Sequence, residues 1–223
     1  MPLVLPGQEV RWNEPGRAFA RHHHLGAYAA LLVSGSCHEN GDRGRLSARA
    51  GDVLVHRAFD GHRDRIGPAG AAFINISLDR PLACAFGRVS DLDAVVKAFE
   101  SSPGHGREEF YAQFERVDHR DEDWPDLLAE DLSERRTSSL ADWSEAHGLH
   151  PASVSRGFRL AFGISPKRFR LEQLAARAAR RIHGSADSLS EIAADTGFAD
   201  QAHMSRAISQ LFATTPRHLR KLS

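Results

Sequence analysis

Histidines near the start of the chain have the spacing of a small imidazole cluster. His22 and His24 are two residues apart, and on a β-strand such side chains point to the same face. If His62 reaches that face from another strand, the three rings suit a divalent Zn, Fe or Ni ion. The favoured interpretation is a metal-free pocket whose histidines hydrogen-bond an organic effector or each other, because spacing alone does not prove metal coordination, and a run of surface histidines is the remaining alternative. The spacing leaves the kind of site open.

Side chains in the C-terminal part suggest a different chemistry, the reading of DNA bases. Arg156, Gln201 and Arg206 lie off the apolar positions of two predicted helices. Arginine is suited to guanine and glutamine to adenine in the major groove. For each arginine, a structural ion pair or a phosphate contact is the alternative.

The first of these helices belongs to a helix-turn-helix pattern. Ser139 and Asp142 have the spacing of a capping box, which predicts a helix start. Gly148 can take the left-handed conformation that ends a helix, and Pro151 favours the first turn of the next one. That next helix carries one apolar stripe, formed by Val154, Phe158 and Phe162.

The pattern occurs again about 50 residues later, as an internal repeat. Ser188 and Glu191 form the second capping box, and Asp200 can cap the helix that follows. Between the two units, residues 166–183 predict one helix about 27 Å long. It could hold two recognition helices near the ~34 Å that separates successive major grooves on one face of DNA. Its candidate phosphate contacts are Lys167, Arg168 and Arg170.

These residues resemble the AraC/XylS family of transcription regulators. The resemblance covers residues 139–222 and is carried by residues 156–169 and 191–198, with Ser205-Arg206 and Thr215-Pro216 after them. It implies two DNA-binding helix-turn-helix units whose base-reading positions are Ala152, Ser155, Arg156, Gln201, Ala202, Ser205 and Arg206. The chain departs from the family at three packing or turn positions, which are Ile208, Ala213 and Leu219.

Residues 1 to about 90 predict an antiparallel β-sandwich or barrel, because short apolar runs alternate with glycine-containing turns. The spacing of Gly16, His22, His24, Tyr28 and His62 is similar to the two motifs of the cupin barrel. The resemblance implies a cupin-like sensor whose effector pocket or metal site contains His22, His24, Tyr28 and His62. Tyr28 stands where the cupin motif has a glutamate, and further departures are Arg57, Phe59 and Ile66.

Helical spacing begins after Ser90. Apolar residues predict one helix around residues 92–99, a second around Phe110, Phe114 and Val117, and a third around residues 127–132. We therefore predict a two-domain α+β fold, with an N-terminal antiparallel, cupin-like β-barrel. Its C-terminal all-α domain contains two helix-turn-helix units joined by a long helix. The predicted division is an effector-binding barrel at 1–90, a helical linker and candidate dimer contact at 91–122, and the DNA-binding domain at 123–223.

Charge is unevenly distributed along the 223 residues, although Lys and Arg balance Asp and Glu at 29 each. From residue 133 onward there are 14 basic against 8 acidic side chains, whereas residues 1–132 hold 15 against 21. A basic half joined to an acidic half suggests that one half meets a polyanion.

The remaining features indicate a cytoplasmic protein. Cys37 and Cys84 are too few for a disulfide framework and fit a reducing compartment. The first six residues lack the pattern of a secretory signal, and no apolar run is long enough to span a bilayer.

The leading hypothesis is a non-enzymatic transcription regulator that binds double-stranded DNA and a small-molecule effector. No cofactor is required, a divalent Zn, Fe or Ni ion stays open, and RNA polymerase is a further candidate partner. The regulator is expected to be a monomer or a homodimer, without a membrane partner. The rival hypothesis is a cupin metalloenzyme of the dioxygenase or isomerase type, which needs an open coordination position. A third is a DNA-binding protein whose barrel senses nothing and only dimerises or recruits partners.

Overall fold

The computed structural model describes residues 10–118, 123–137 and 139–221. The first six residues, which bear on secretion, lie outside the described residues. So do residues 119–122 at the predicted domain boundary and Leu222 at the end of the family resemblance.

Among the described residues, eight strands form one sheet in the N-terminal half. They are β1 Arg11–Asn13, β2 Ala18–His23, β3 Tyr28–Gly41, β4 Gly44–Arg49, β5 Asp52–His56, β6 Gly61–Ser77, β7 Phe86–Val89 and β8 Phe114–Arg116. Hydrogen-bonded neighbours follow the order β1-β6-β3-β5-β7-β8, with β2 on β6 and β4 on β3, and the pairings are antiparallel. The predicted antiparallel sheet is confirmed. Its predicted closure into a barrel is not found within the described residues, because β1 and β8, three residues each, leave the path open at both ends.

Both faces of the central strands are buried. Ala29 and Leu31 of β3 pack into one apolar cluster, whereas Ala30 and Leu32 pack into another on the opposite face. Successive side chains of a strand point to opposite faces, so one continuous apolar run serves two cores.

Two helices, α1 Leu92–Ser101 and α2 Pro103–Gln113, cover one of these faces. The predicted second helix is wrong at its C-terminal end, because α2 stops at Gln113 and Phe114 begins β8, which pairs with β7. Phe114 keeps contact with Phe110, whose ring centroid is 5.6 Å away. The apolar spacing therefore predicts correctly that Phe110 and Phe114 share a core, but Phe114 reaches this core from a strand and not from a helix.

The C-terminal part is helical throughout its described residues, as predicted. Its helices are α3 Trp124–Glu134, α4 Leu140–Ala146, α5 Pro151–Phe162, α6 Pro166–Gly184, α7 Leu189–Thr196, α8 Gln201–Phe212 and α9 Pro216–Leu219. One core joins α3, α4 and α5 with the start of α6, and a second joins the rest of α6 with α7, α8 and α9. None of the described helices combines the length and apolar composition needed to cross a membrane.

Candidate nucleic-acid interface and histidine site

The first helix-turn-helix unit consists of α4 and α5. The Ser139 hydroxyl accepts a hydrogen bond from the Ala141 amide at 3.1 Å and caps α4. Gly148 then adopts a left-handed conformation with φ of 64°, which glycine tolerates because it lacks a β-carbon. Along α5 the predicted stripe of Val154, Phe158 and Phe162 is buried. Because this stripe is buried, the opposite face of α5 is the one that a partner can contact.

That remaining face carries the predicted base-reading side chains of the first unit. Ala152 and Arg156 are exposed, and Ser155 is half-buried. Within the described part of the chain, Arg156 has no carboxylate partner, so the ion-pair alternative finds no support there.

The second unit, α7 and α8, repeats the arrangement. Ser188 Oγ accepts from the Glu191 amide at 3.2 Å, and the Glu191 carboxylate accepts from the Ser188 amide at 2.9 Å, so the predicted capping box is complete. Asp200 caps α8 by accepting from the His203 amide at 2.6 Å. Along α8 the buried side chains include Met204 and Ile208. Ile208, one of the departures from the family, is thus an ordinary core residue.

The second unit also leaves its predicted base-reading positions accessible. Gln201, Ala202 and Arg206 are exposed, and Ser205 is half-buried. The Arg206 guanidinium has no carboxylate partner among the residues that the structure describes. The structure thus brings the predicted side chains of each unit onto one helix and leaves most of them exposed.

The three candidate phosphate contacts lie in the first turns of α6, but they differ in their surroundings. Lys167 is exposed, and Arg170 is half-buried. Arg168 Nε donates to the buried Glu172 carboxylate at 2.8 Å. Arg168 is therefore a weaker candidate than the exposed Lys167, since a carboxylate already compensates its charge.

Comparison with known protein families identifies the kind of domain that these helices form. The family model described as a helix-turn-helix domain matches residues 143–222, from the middle of α4 onward, and so includes α5, α7 and α8. The chain carries an AraC-type helix-turn-helix domain. A domain of this type indicates a protein that binds DNA and regulates transcription.

Solved structures similar to the chain include a protein described as containing an AraC-type DNA-binding domain. A transcriptional regulator from Chromobacterium violaceum is 23% identical, with a TM-score of 0.40, over 42% of this chain and 86% of that one. The C-terminal domain of AraT, a response regulator from Geobacillus stearothermophilus, is 19% identical, with a TM-score of 0.41, over 44% and 84%. ToxT from Vibrio cholerae is 9% identical, with a TM-score of 0.44, over 95% and 96%. No curated protein matches the chain.

The sheet that precedes the AraC-type domain brings the predicted histidines together. His62 Nε2 lies 3.1 Å from His22 Nε2 and 3.1 Å from His24 Nε2. The Tyr28 hydroxyl lies 3.2 Å from His24 Nε2 and 3.3 Å from His62 Nε2. All four residues predicted for an effector pocket or metal site thus meet at one point.

Two residues that the sequence interpretation missed complete this cluster. The Glu39 carboxylate accepts a hydrogen bond at 2.7 Å from His62 Nδ1. The His56 ring stacks on Tyr28 with centroids 4.4 Å apart, and its Nε2 lies 3.4 Å from the same carboxylate. His56 could have been found, because it follows the inward-facing Leu54 by two residues. Glu39 could not, because two register shifts interrupt β3 between Leu32 and Cys37 and change which alternate residues face inward.

The hydrogen bonding of His22 shows which of its two ring nitrogens carries no hydrogen. His22 Nδ1 lies 2.9 Å from the Ala20 carbonyl oxygen, which can only accept, so Nδ1 carries the hydrogen. The Nε2 atom therefore directs a lone pair into the cluster, toward His62. Burial and the neighbouring His62 lower the pKa of His22 to about 4 and the pKa of His24 to about 3. Burial also lowers the pKa of His62, so near pH 7 the rings are neutral, as metal ligation requires.

Proposed function

We propose that the chain regulates transcription by binding double-stranded DNA in response to a divalent metal held by His22, His24 and His62. The observation that supports this proposal is the convergence of three neutral imidazole Nε2 atoms on one point. Tetrahedral ligands at about 2.0–2.1 Å from a metal are about 3.3–3.4 Å apart, close to the 3.1 Å found here. An ion of the Zn, Fe or Ni type suits imidazole ligands.

The surroundings of the three histidines also fit such an ion. A carboxylate on the far nitrogen of a ligating histidine is a usual orienting partner, and Glu39 has this position on His62. Tyr28 contributes a hydrogen-bonding phenol rather than a ligand, because burial raises its pKa well above the ordinary value and keeps it protonated. When bound, the metal would supply a positive centre that holds the three rings together.

The remaining parts of the proposal assign roles along the chain. The cupin-like effector domain is at residues 1–90 and the DNA-binding domain at 123–223. Between them, α1 and α2 pack on the sheet and β8 extends it. The exposed Arg156 and Arg206 would read guanine and Gln201 adenine, with Ala152 and Ala202 suited to thymine methyl groups and Ser155 and Ser205 less selective. Lys167 and Arg170 would contact phosphates.

The proposal is tested by selecting binding sites for the full chain from random duplexes, across a salt series and with or without a chelator. We expect a two-part site of about two helical turns, bound more weakly at high salt and less tightly after the metal is removed. Selection of no sequence at any salt concentration, in the presence of Zn²⁺, would contradict the regulator. If a DNA site is selected but the affinity for it does not change when the chelator is added, only the proposed dependence on a metal is contradicted.

Arg206→Ala is expected to lower affinity for the selected site by about 1–3 kcal/mol and to relax sequence preference in one half of it. The reason is the loss of a bidentate contact to a base edge. Arg206→Lys is the matched control, because lysine keeps the charge but not the planar fork. If Arg206→Lys binds as the wild type does, Arg206 contacts a phosphate and does not read a base.

Glu39→Gln is expected to weaken Zn²⁺ binding about 10- to 100-fold, the usual cost of losing an orienting partner. The substitution keeps the size of the side chain and replaces a carboxyl group, whose pKa burial raises to about 8, with an amide that cannot ionise when a metal binds. Competition with a chromophoric chelator measures the change. Unaltered affinity would show that Glu39 does not orient His62.

A further inference from the structure

One aromatic side chain of the sheet domain lies in the core of the second helix-turn-helix unit. Phe59 belongs to the turn between β5 and β6, is 1% exposed, and packs in the apolar cluster that α6, α7, α8 and α9 form. Its ring meets Phe212 at the end of α8 edge-to-face, with centroids 5.2 Å apart. The second unit therefore completes its core with a residue from another domain.

The backbone of this turn is held in an uncommon conformation. Phe59 has φ of 68°, a left-handed geometry that is unfavourable for a residue with a β-carbon. The Phe59 amide donates to the His24 carbonyl at 2.8 Å. The Asp60 carboxylate accepts from the Arg57 amide at 3.1 Å. The turn is thus bonded directly to one of the three clustered histidines, and its two ends continue into His56 and His62.

Charged groups attach the same turn to α6. Arg180 Nη1 donates to the Ala58 carbonyl at 3.0 Å and to the buried Asp60 carboxylate at 3.0 Å. Because α6 joins the two helix-turn-helix units, the turn contacts both the connecting helix and the core of the second unit.

The segment that carries His22 and His24, which consists of β2 and the residue after it, makes a second contact with the helical domain. His23, between them, points the other way. Its ring lies edge-to-face on Phe212 with centroids 5.5 Å apart, and its Nε2 is 3.3 Å from the Glu172 carboxylate of α6. A β-carbon at Gly61 would lie 2.5 Å from His23 Nε2, so the glycine beside His62 permits this crossing. Phe59 and His23 both contact Phe212, and each belongs to one of the two segments that supply the clustered histidines. We call these two residues the latch.

We infer that the latch couples occupation of the histidine cluster to the position of the second helix-turn-helix unit. This inference rests on the proposed metal site. The strands β2 and β6 already pair, with His22 opposite His62 and His23 opposite Gly61. An ion bound to His22, His24 and His62 would add a further link between these two segments, which also place His23 and Phe59 against α8. A ligand shifts a conformational equilibrium only if it binds one conformation more tightly than the other. An ion that binds all three histidines favours the conformation in which the two segments are held together. Bound Zn²⁺ therefore favours the conformation in which Phe59 and His23 pack on Phe212. In that conformation the distance between the recognition helices α5 and α8 is fixed.

The experiment compares amide hydrogen exchange of α8 with and without Zn²⁺ in the full chain and two variants. Phe59→Gly removes the ring and accepts positive φ without strain, so the turn and the histidine cluster are retained. Met204→Ala is the matched control, because Met204 is buried in the same core but belongs to α8 itself. Zn²⁺ stoichiometry is measured for each protein.

In the wild type we expect Zn²⁺ to slow exchange in α8 at least about fivefold, the lower end of usual allosteric coupling. Phe59→Gly should bind Zn²⁺ with the same stoichiometry and lose this response, whereas Met204→Ala should keep it. A duplex with both half-sites should show the same pattern in its affinity, and a duplex with one half-site should not. A full response in Phe59→Gly, or Zn²⁺ binding without any change in wild-type α8, overturns the latch and leaves the metal site standing. Failure of the wild type to bind Zn²⁺ overturns the proposed zinc site, and the latch with it, and leaves DNA binding to be tested separately.

Discussion

His62→Ala is expected to lower the affinity for Zn²⁺ more than about a hundredfold, beyond the usual effect of losing an orienting partner. His62 Nε2 is the atom that both short imidazole distances share, so its removal leaves His22 and His24 without the residue that joins them. Two imidazoles are fewer than the three protein ligands that metal sites with an open position usually have. Calorimetric titration of the chelator-treated chain near pH 7 measures the loss.

His38→Ala is the matched control for this experiment. His38 is an exposed histidine of the same sheet, hydrogen-bonded to Ser47, and its loss should leave Zn²⁺ affinity unchanged. Wild-type affinity in His62→Ala would place the bound ion elsewhere in the molecule. An equal loss in both variants would indicate binding to surface histidines.

Glu172→Ala is expected to destabilise the protein by about 3 kcal/mol, because it leaves part of a buried ion network without its negative partner. Glu172 lies on α6 and is 3% exposed. Its carboxylate accepts from Arg21 Nε at 2.8 Å, across the domain contact, and from Arg168 Nε at 2.8 Å. Arg21 also pairs with Asp42, which still compensates its charge in the variant and keeps the loss near the lower end of the usual range. Urea denaturation measures the change, and Glu145→Ala, an exposed glutamate of α4, is the control with little expected effect.

The contribution of Glu172 should disappear in acid. Burial alone would raise its pKa, but contact with His23 and the charge of Arg21 lower it to about 2, against an ordinary value of about 4.3. A carboxylate whose pKa is lower in the folded state stabilises the protein above its unfolded pKa and loses this effect as pH falls through the folded pKa. The difference in stability between the wild type and Glu172→Gln should therefore be constant above about pH 5 and shrink toward pH 2. A difference independent of pH over that range would mean that the charge of Glu172 does not stabilise the fold.

Much of the helical domain could be predicted from local sequence. Ser188 and Glu191 specify a helix start through bonds within four residues, and the structure confirms them at 3.2 and 2.9 Å. The stripe of Val154, Phe158 and Phe162 predicts the buried face of α5 in the same way. Caps and helical periodicity involve neighbours along the chain, so they do not depend on how distant segments pack.

The sequence was less informative where distant segments meet. Alternation along a strand predicted that His22 and His24 share a face, and the spacing pointed to His62 as their companion. The same rule failed for Glu39, because the register shifts in β3 are set by pairing with β6 and not by β3 itself. It also failed at Phe114, where an apolar residue at helical spacing lies on a strand that pairs with β7.

The sequence by itself determined the two helix-turn-helix units, the antiparallel sheet and the group of His22, His24, Tyr28 and His62. Only the tertiary structure decided that the sheet stays open, that Glu39 and His56 join the histidines, and that Phe59 is buried in another domain. The physical reason is the range of the interactions involved. Capping, turns and periodicity are fixed within a few residues, whereas register, burial and domain contacts depend on residues far apart in the chain, such as Arg21 and Glu172.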